Sequence, residues 1–268
     1  EVADFAELAC RLDAELVDTR RISIAQTVTR IRDARCQVAI SVNWPTLIGV
    51  EIRNCFELGI LNAHAGDLPT YRGNAAPNWA ILSMESKIGL TIHQMSDELD
   101  GGPVILKEVY GWIERRLPDL FVEALSGLES GRLRPVPQSV DAADILHCYP
   151  RRREDGRIDW RQRSDAIYCL IRASSRPFAG AFTHLEGEDR VIVWRAAPLV
   201  HLGAFKAVPG QICYREQGCP VVACAGGLLR LDEIEVDGVG AGQAALDYVG
   251  RSLRARLTSG SPRADDFA

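Results

Sequence analysis

The amino-acid sequence predicts a two-domain α/β protein, with an open sheet carrying helices on its faces followed by a small β-barrel. Three observations carry that prediction. Strand-like and helix-like runs alternate through the first half, and short β-rich runs divided by Gly, Pro or charged turns fill the second. Between them lies a Pro- and Arg-rich stretch running from "GRLRPVPQSV" to "PRRREDGRIDWRQR". A chain of 268 residues is long enough to bury two cores.

Residues 2–13, "VADFAELACRLD", place Val2, Phe5, Leu8, Ala9 and Leu12 at helical spacing, and "AELVD" after them reads as a short buried strand. A second helix is expected over about 23–33. "CQVAISV" is a compact β-rich run that ends in the loop "NWPTLIG", and "GILNAHA" is the next strand. This alternation predicts parallel strands. Pro77 suits the first turn of a helix through "NWAILSME", while "IGLTIHQM" and "VILKEVY" read as strands joined by "SDELDGGP". Domain limits follow: 1–135 for the sheet domain, 136–160 for the connection, 161–258 for the β domain, and 259–268 as a tail. Within the β domain, "AGAFTHLEG", "RVIVWRAA", "GQICYRE", "PVVACAGG" and "LLRLDEIEV" are the expected strands.

The bulk properties narrow the function. A net charge of −5 gives no general attraction to nucleic acid, and no apolar run is long enough to span a bilayer. The eight cysteines contain no C-x-x-C pair, so they read as free thiols of a reducing cytoplasm. His147, His184 and His201 show no zinc spacing, and no metal is expected. Arg151, Arg152 and Arg153 form a charge run that is either solvated or a phosphate contact.

Asn62 and His64 stand two apart on "GILNAHA", so their side chains share one strand face about 7 Å apart. The turn "GDLPTYRGN" follows at the strand's C-terminal end, where open α/β sheets bind ligands. Asp100 lies in "DELDGGP", whose glycines allow close backbone approach. These three are the candidate catalytic residues. His93, alternating with Thr91 and Met95, reads as an ordinary sheet histidine.

"NAHAGDLPTYRGNAAPNWAIL" followed by "GLTIHQMSDELDGGPVI" resembles the formyltransferase family that uses 10-formyltetrahydrofolate, and "EDGRIDWRQRSDAIYCLIRASSRPFAGAFT" is similar to the start of that family's C-terminal domain. The likeness is strongest to sugar-nucleotide N-formyltransferases, such as the formyltransferase half of the bifunctional polymyxin-resistance protein, with methionyl-tRNA formyltransferase also related. It implies a Rossmann-like catalytic domain followed by an OB-like β-barrel. It further implies formyl transfer from 10-formyltetrahydrofolate to a primary amine of a nucleotide-linked amino sugar, with methionyl-tRNA formylation and a catalytically impaired folate-binding module as alternatives. Asn62 would donate to the oxyanion of the tetrahedral adduct, and His64 would manage the amine proton. Asp100 would raise the His64 pKa. The resemblance places folate on two loops, Trp44, Pro45, Thr46, Leu47 and Ile48 in one and Ser96, Asp97, Glu98, Leu99, Asp100 and Gly101 in the other. Asn74 also falls at the folate site, where the arabinose relative carries Arg. The family fold opens with a strand, a helix and a strand ahead of "VADFAELAC", so either about forty residues precede Glu1 or the fold is trimmed.

Overall fold

The computed structural model describes residues 2–19, 21–42, 44, 46–110, 113–200 and 205–260. They form two compact units, one built from the chain up to Arg72 together with Gly89–Leu146, the other from Gly73–Ile88 and the chain from His147 on.

In chain order the elements up to residue 129 are α1 (Val2–Arg11), α2 (Ala25–Asp33), β1 (Ala39–Ser41), α3 (Val50–Arg53), β2 (Ile60–His64), β3 (Arg72–Gly73), α4 (Ala76–Leu82), β4 (Ile88–Gln94), β5 (Val104–Tyr110) and α5 (Ile113–Glu129). The first unit holds one four-stranded sheet in the order β1-β2-β4-β5. Strand β1 runs parallel to β2, as the alternation predicts, but β4 runs antiparallel to it. The cause is the excursion after β2. The segment from Gly73 to Ile88, α4 included, belongs to the second unit and supplies no crossover within the first. The chain therefore returns to the sheet at the end it left, pairing Thr91 with His64 and Gln94 with Leu61.

Strand β2 is interior and both its faces are used. Leu61 is fully buried with Leu90, Ile92 and Ile105 beneath Leu120, Phe121 and Ala124 of α5. Ile60 points the other way, into a cluster with Val28, Ile48 and Ile52 against which Trp44 and Met95 pack. Burying each such side chain contributes about 1.5–3 kcal/mol. The expected strand "AELVD" does not form. Leu16 is 42% exposed there, because two apolar residues set among Asp13, Glu15 and Asp18 bury too little to hold a strand in place. Helix α5 has no counterpart in the expected elements. Pro118 interrupts its sequence, although Leu117, Leu120, Phe121, Ala124, Leu125 and Leu128 keep helical spacing.

The second unit continues with β6 (His147–Cys148), a 3-10 turn at Arg153–Gly156, α6 (Ser164–Ser174), β7 (Ala181–Leu185), β8 (Asp189–Leu199), β9 (Ile212–Glu216), β10 (Cys219–Cys224), β11 (Gly227–Val236), β12 (Gly240–Ala241), α7 (Gln243–Val249) and β13 (Leu257–Thr258). Its antiparallel sheet runs β13-β7-β8-β11-β10-β9, with β12 on β11. The sheet curls until its edges meet. Leu257 N–H donates to Gly210 O at 2.8 Å, and a bridge joins Gln211 to Arg256. Ile167 and Ile171 of α6 fill the interior with Ile158, Trp160, Val193, Leu229 and Leu231. Helix α4 packs on α6, where Asn78 Nδ2 donates to Ala173 O at 2.6 Å. All eight cysteines are free thiols. Among the described residues no helix is long and apolar enough to cross a membrane.

Candidate functional site

Asn62 and His64 face the same side of β2, beside the strand's C-terminal turn. Cross-strand register sets His93 of β4 directly beside Asn62, and Asn62 Nδ2 lies 3.2 Å from His93 Nε2. An amide nitrogen can only donate, so His93 Nε2 accepts and the ring proton sits on Nδ1, where Gln94 O receives it at 3.0 Å. His64 Nε2–H donates to Tyr71 O at 2.6 Å. Asp100 reaches both rings, with Oδ2 3.3 Å from His64 Nδ1 and Oδ1 3.3 Å from His93 Nε2.

The expected trio is thus brought together, and His93 joins it. His93 is a buried sheet histidine, 1% exposed, and it also bridges the amide and the carboxylate. Its position in register with Asn62 was the signal available in the sequence, and using that signal requires knowing that β4 pairs antiparallel with β2.

With both rings neutral, the carboxylate faces the unprotonated nitrogen of each. A proton arriving on His64 Nδ1 is shared with Asp100 Oδ2, 3.3 Å away. The His64 pKa lies below its ordinary value because burial outweighs the attraction of Asp100 and the Tyr71 carbonyl, with His93 adding slightly to the lowering. Asp100 pulls the pKa upward, as expected, but desolvation of a nearly buried ring is larger.

Local backbone fixes these side chains. Asp100 holds φ +50° and Tyr71 φ +60°, left-handed conformations that turn the Asp100 carboxylate and the Tyr71 carbonyl onto the rings. A Cβ on Gly66 would sit 2.4 Å from His64 Nε2 and one on Gly102 1.8 Å from Gln94 O, so both positions require glycine. Gln138 clamps the Asp100 loop. Its Nε2 donates to Asp100 O and to Gly102 O at 2.8 and 2.7 Å, and its Oε1 accepts from Arg72 Nη2 at 2.8 Å. Arg72 is buried and pairs with Glu98 at 3.6 Å.

Of the two expected folate loops, Trp44 Nε1 donates to Thr46 Oγ1 at 2.9 Å, Ile48 is core, and Leu47 is 69% exposed. Pro45 lies outside the described residues. In the other loop, Arg53 binds Ser96 O and the Asp97 carboxylate, Ser96 Oγ folds against Glu98, Gly101 N–H donates to Glu98 O at 3.2 Å, and Leu99 is exposed. Asn74 belongs to the second unit, where its N–H donates to Cys148 O.

Arg151 is spent on Ala173 O, Asp155 O and Ser174 Oγ, and its pKa is lowered by burial. Arg152 and Arg153 are exposed at a cavity of about 160 Å³ that Asn78 and Phe178 also line. His184 packs edge-on to Phe182 inside the second unit, His147 is exposed, and His201 lies outside the described residues. No group of His, Cys, Asp or Glu among the described residues could hold a metal ion.

Two family profiles match the chain. "Formyl transferase" covers residues 8–115 and "Formyl transferase, C-terminal domain" covers 151–244. Among solved structures, a variant of HypX from Aquifex aeolicus superposes with a TM-score of 0.63 at 22% identity over 86% of this chain. That alignment spans only 43% of the HypX chain, which has also been solved with tetrahydrofolic acid. Methionyl-tRNA formyltransferase from Clostridium thermocellum gives 0.57 at 19% identity, over 73% of this chain and 88% of its own. The N-formyltransferase from Helicobacter canadensis, solved with folinic acid and dTDP-3-aminofucose, gives 0.53 at 14% identity, over 81% and 84%. With the profiles of both domains matched in sequence and the Rossmann-like sheet domain preceding the β domain, the chain belongs to the formyl transferase family.

Proposed function

We propose that this chain transfers the formyl group of 10-formyltetrahydrofolate to the primary amine of a nucleotide-linked amino sugar. The observation that carries the reaction type is the Asn62–His93–Asp100–His64 cluster, a hydrogen-bond donor next to a proton-accepting slot at the ligand end of a sheet. The amine nitrogen attacks the formyl carbon, and the carbonyl π pair moves onto oxygen, where the Asn62 amide donates to it. The amine proton passes to the His64–Asp100 pair and returns to the departing folate nitrogen as the carbonyl re-forms. The exposed side chains of Leu47 and Leu99 offer apolar surface for the donor's rings, with main-chain groups of Trp44, Thr46, Ile48, Ser96, Asp97, Glu98 and Gly101 giving polar contacts.

The sugar acceptor is supported by the Asn78–Trp79 pair, which resembles that of the sugar enzymes, and by a net charge of −5 that opposes a broad tRNA footprint. The likeness to the Helicobacter enzyme solved with a dTDP-linked amino sugar is consistent with it. The test is tetrahydrofolate release with UDP-, GDP- and dTDP-linked 3- and 4-amino sugars set beside charged initiator tRNA. Turnover of one sugar supports the reading. Formylation of tRNA alone overturns the acceptor, and folate binding without any turnover reduces the chain to a binding module.

A further inference from the structure

Strands β1, β2 and β4 lie side by side, and their register sets Ser41 beside Asn62 and Asn62 beside His93. Directly paired residues project to one face, so a hydroxyl, an amide and an imidazole form a row across three strands spaced about 4.8 Å apart. On one flank of Asn62, His93 is hydrogen-bonded to the amide. On the other flank Ser41 is only 6% exposed, and its Oγ has no hydrogen-bond partner among the described residues. A buried hydroxyl with no partner destabilises the fold, and alanine in its place would not. The hydroxyl therefore serves something other than the packing of β1.

We propose that Ser41 is a second donor to the formyl oxygen, acting beside Asn62. This rests on the formyl-transfer reading above. The Asn62 amide spends one hydrogen on His93 Nε2 and keeps a second to give to an oxygen that Ser41, its neighbour in register, also serves. As the new C–N bond forms, the carbonyl π pair becomes an oxyanion held by Asn62 Nδ2–H and Ser41 Oγ–H. When the carbonyl re-forms, the bond from carbon to the folate nitrogen breaks and that nitrogen takes the proton from the His64–Asp100 pair. Ser41 gives up no proton and ends unchanged.

The experiment follows tetrahydrofolate release from 10-formyltetrahydrofolate, with water or any sugar the wild type accepts as the formyl acceptor. Ser41→Ala is expected to lower kcat by roughly ten- to a hundredfold, with KM for the donor within about twofold. Its Tm should equal or exceed that of the wild type, because an unpaired hydroxyl has been removed. Calorimetric affinity for 5-formyltetrahydrofolate should be unchanged, and Ser41→Thr, which keeps the hydroxyl, should recover much of the lost rate. Unchanged kcat in Ser41→Ala, a defect confined to KM, or a drop in Tm that parallels the activity loss would each overturn the assignment while leaving formyl transfer intact. No release by the wild type with water or with any amine would overturn formyl transfer itself, and Ser41's role with it.

Discussion

Gln138 donates from one amide nitrogen to the main-chain oxygens of both Asp100 and Gly102, while its oxygen receives the buried guanidinium of Arg72. A single side chain thereby ties the Asp100 loop to the turn that follows β2. Gln138→Ala should leave Arg72 and two carbonyls without their partner and cost about 1–3 kcal/mol of stability. Turnover should fall about tenfold or more, since Asp100 loses its support. Gln138→Glu keeps the acceptor for Arg72 but loses the two donors. With a carboxylate oxygen set against both carbonyls it should also melt below the wild type and turn over slowly, as paired thermal melts and kcat measurements would show.

Asn62→Ala and His64→Ala should each reduce kcat by about a hundredfold or more with little change in donor affinity, as groups acting on the transition state do. Single-turnover rates beside calorimetric binding of 5-formyltetrahydrofolate check this. Near-normal turnover in His64→Ala would remove it from the mechanism.

Because His64 titrates below its ordinary value of about 6.5, the rate should rise through that lowered pKa and level above it, the neutral cluster being the form that accepts a proton. Asp100 opposes the lowering, so Asp100→Asn should move the acid limb to still lower pH and depress the plateau. Stability follows with the same sign. The unfolded chain binds the His64 proton more readily, so His64's contribution is complete above about pH 6.5 and is lost as pH falls toward the folded pKa. A pH series of denaturant melts should show that slope reduced in His64→Ala.

Gly66→Ala introduces a Cβ within 2.4 Å of His64 Nε2 and 2.8 Å of Tyr71 O. It should displace the imidazole and abolish most activity while far-ultraviolet circular dichroism remains native. A fully active Gly66→Ala would show that the His64–Tyr71 bond is dispensable.

The elements that carry the candidate site are legible in the sequence because each is a local signal. Alternation in "GILNAHA" places Asn62 and His64 on one face, and the Gly-rich "DELDGGP" marks the loop that delivers Asp100. What could not be read there is long-range. His93 gains its role from pairing across to β2, and Gln138 acts on a loop 36–38 residues away. The net pKa of His64 depends on how much protein covers it, which no neighbour in sequence reveals. Helix α5 was legible in its apolar spacing but masked by Pro118, and "AELVD" looked like a strand only because burial cannot be read from two apolar residues.

Strand β2 alternates side chains so strictly that core and candidate site share one ruler. Sliding it a single residue against its neighbours would bring Leu61 and Ala63 to the face now held by Asn62 and His64, and would press the amide and imidazole into the contacts beneath α5. A misaligned sheet would thus be silent as well as unstable, and turnover per molecule doubles as a gauge of how faithfully the chain has paired its strands during folding.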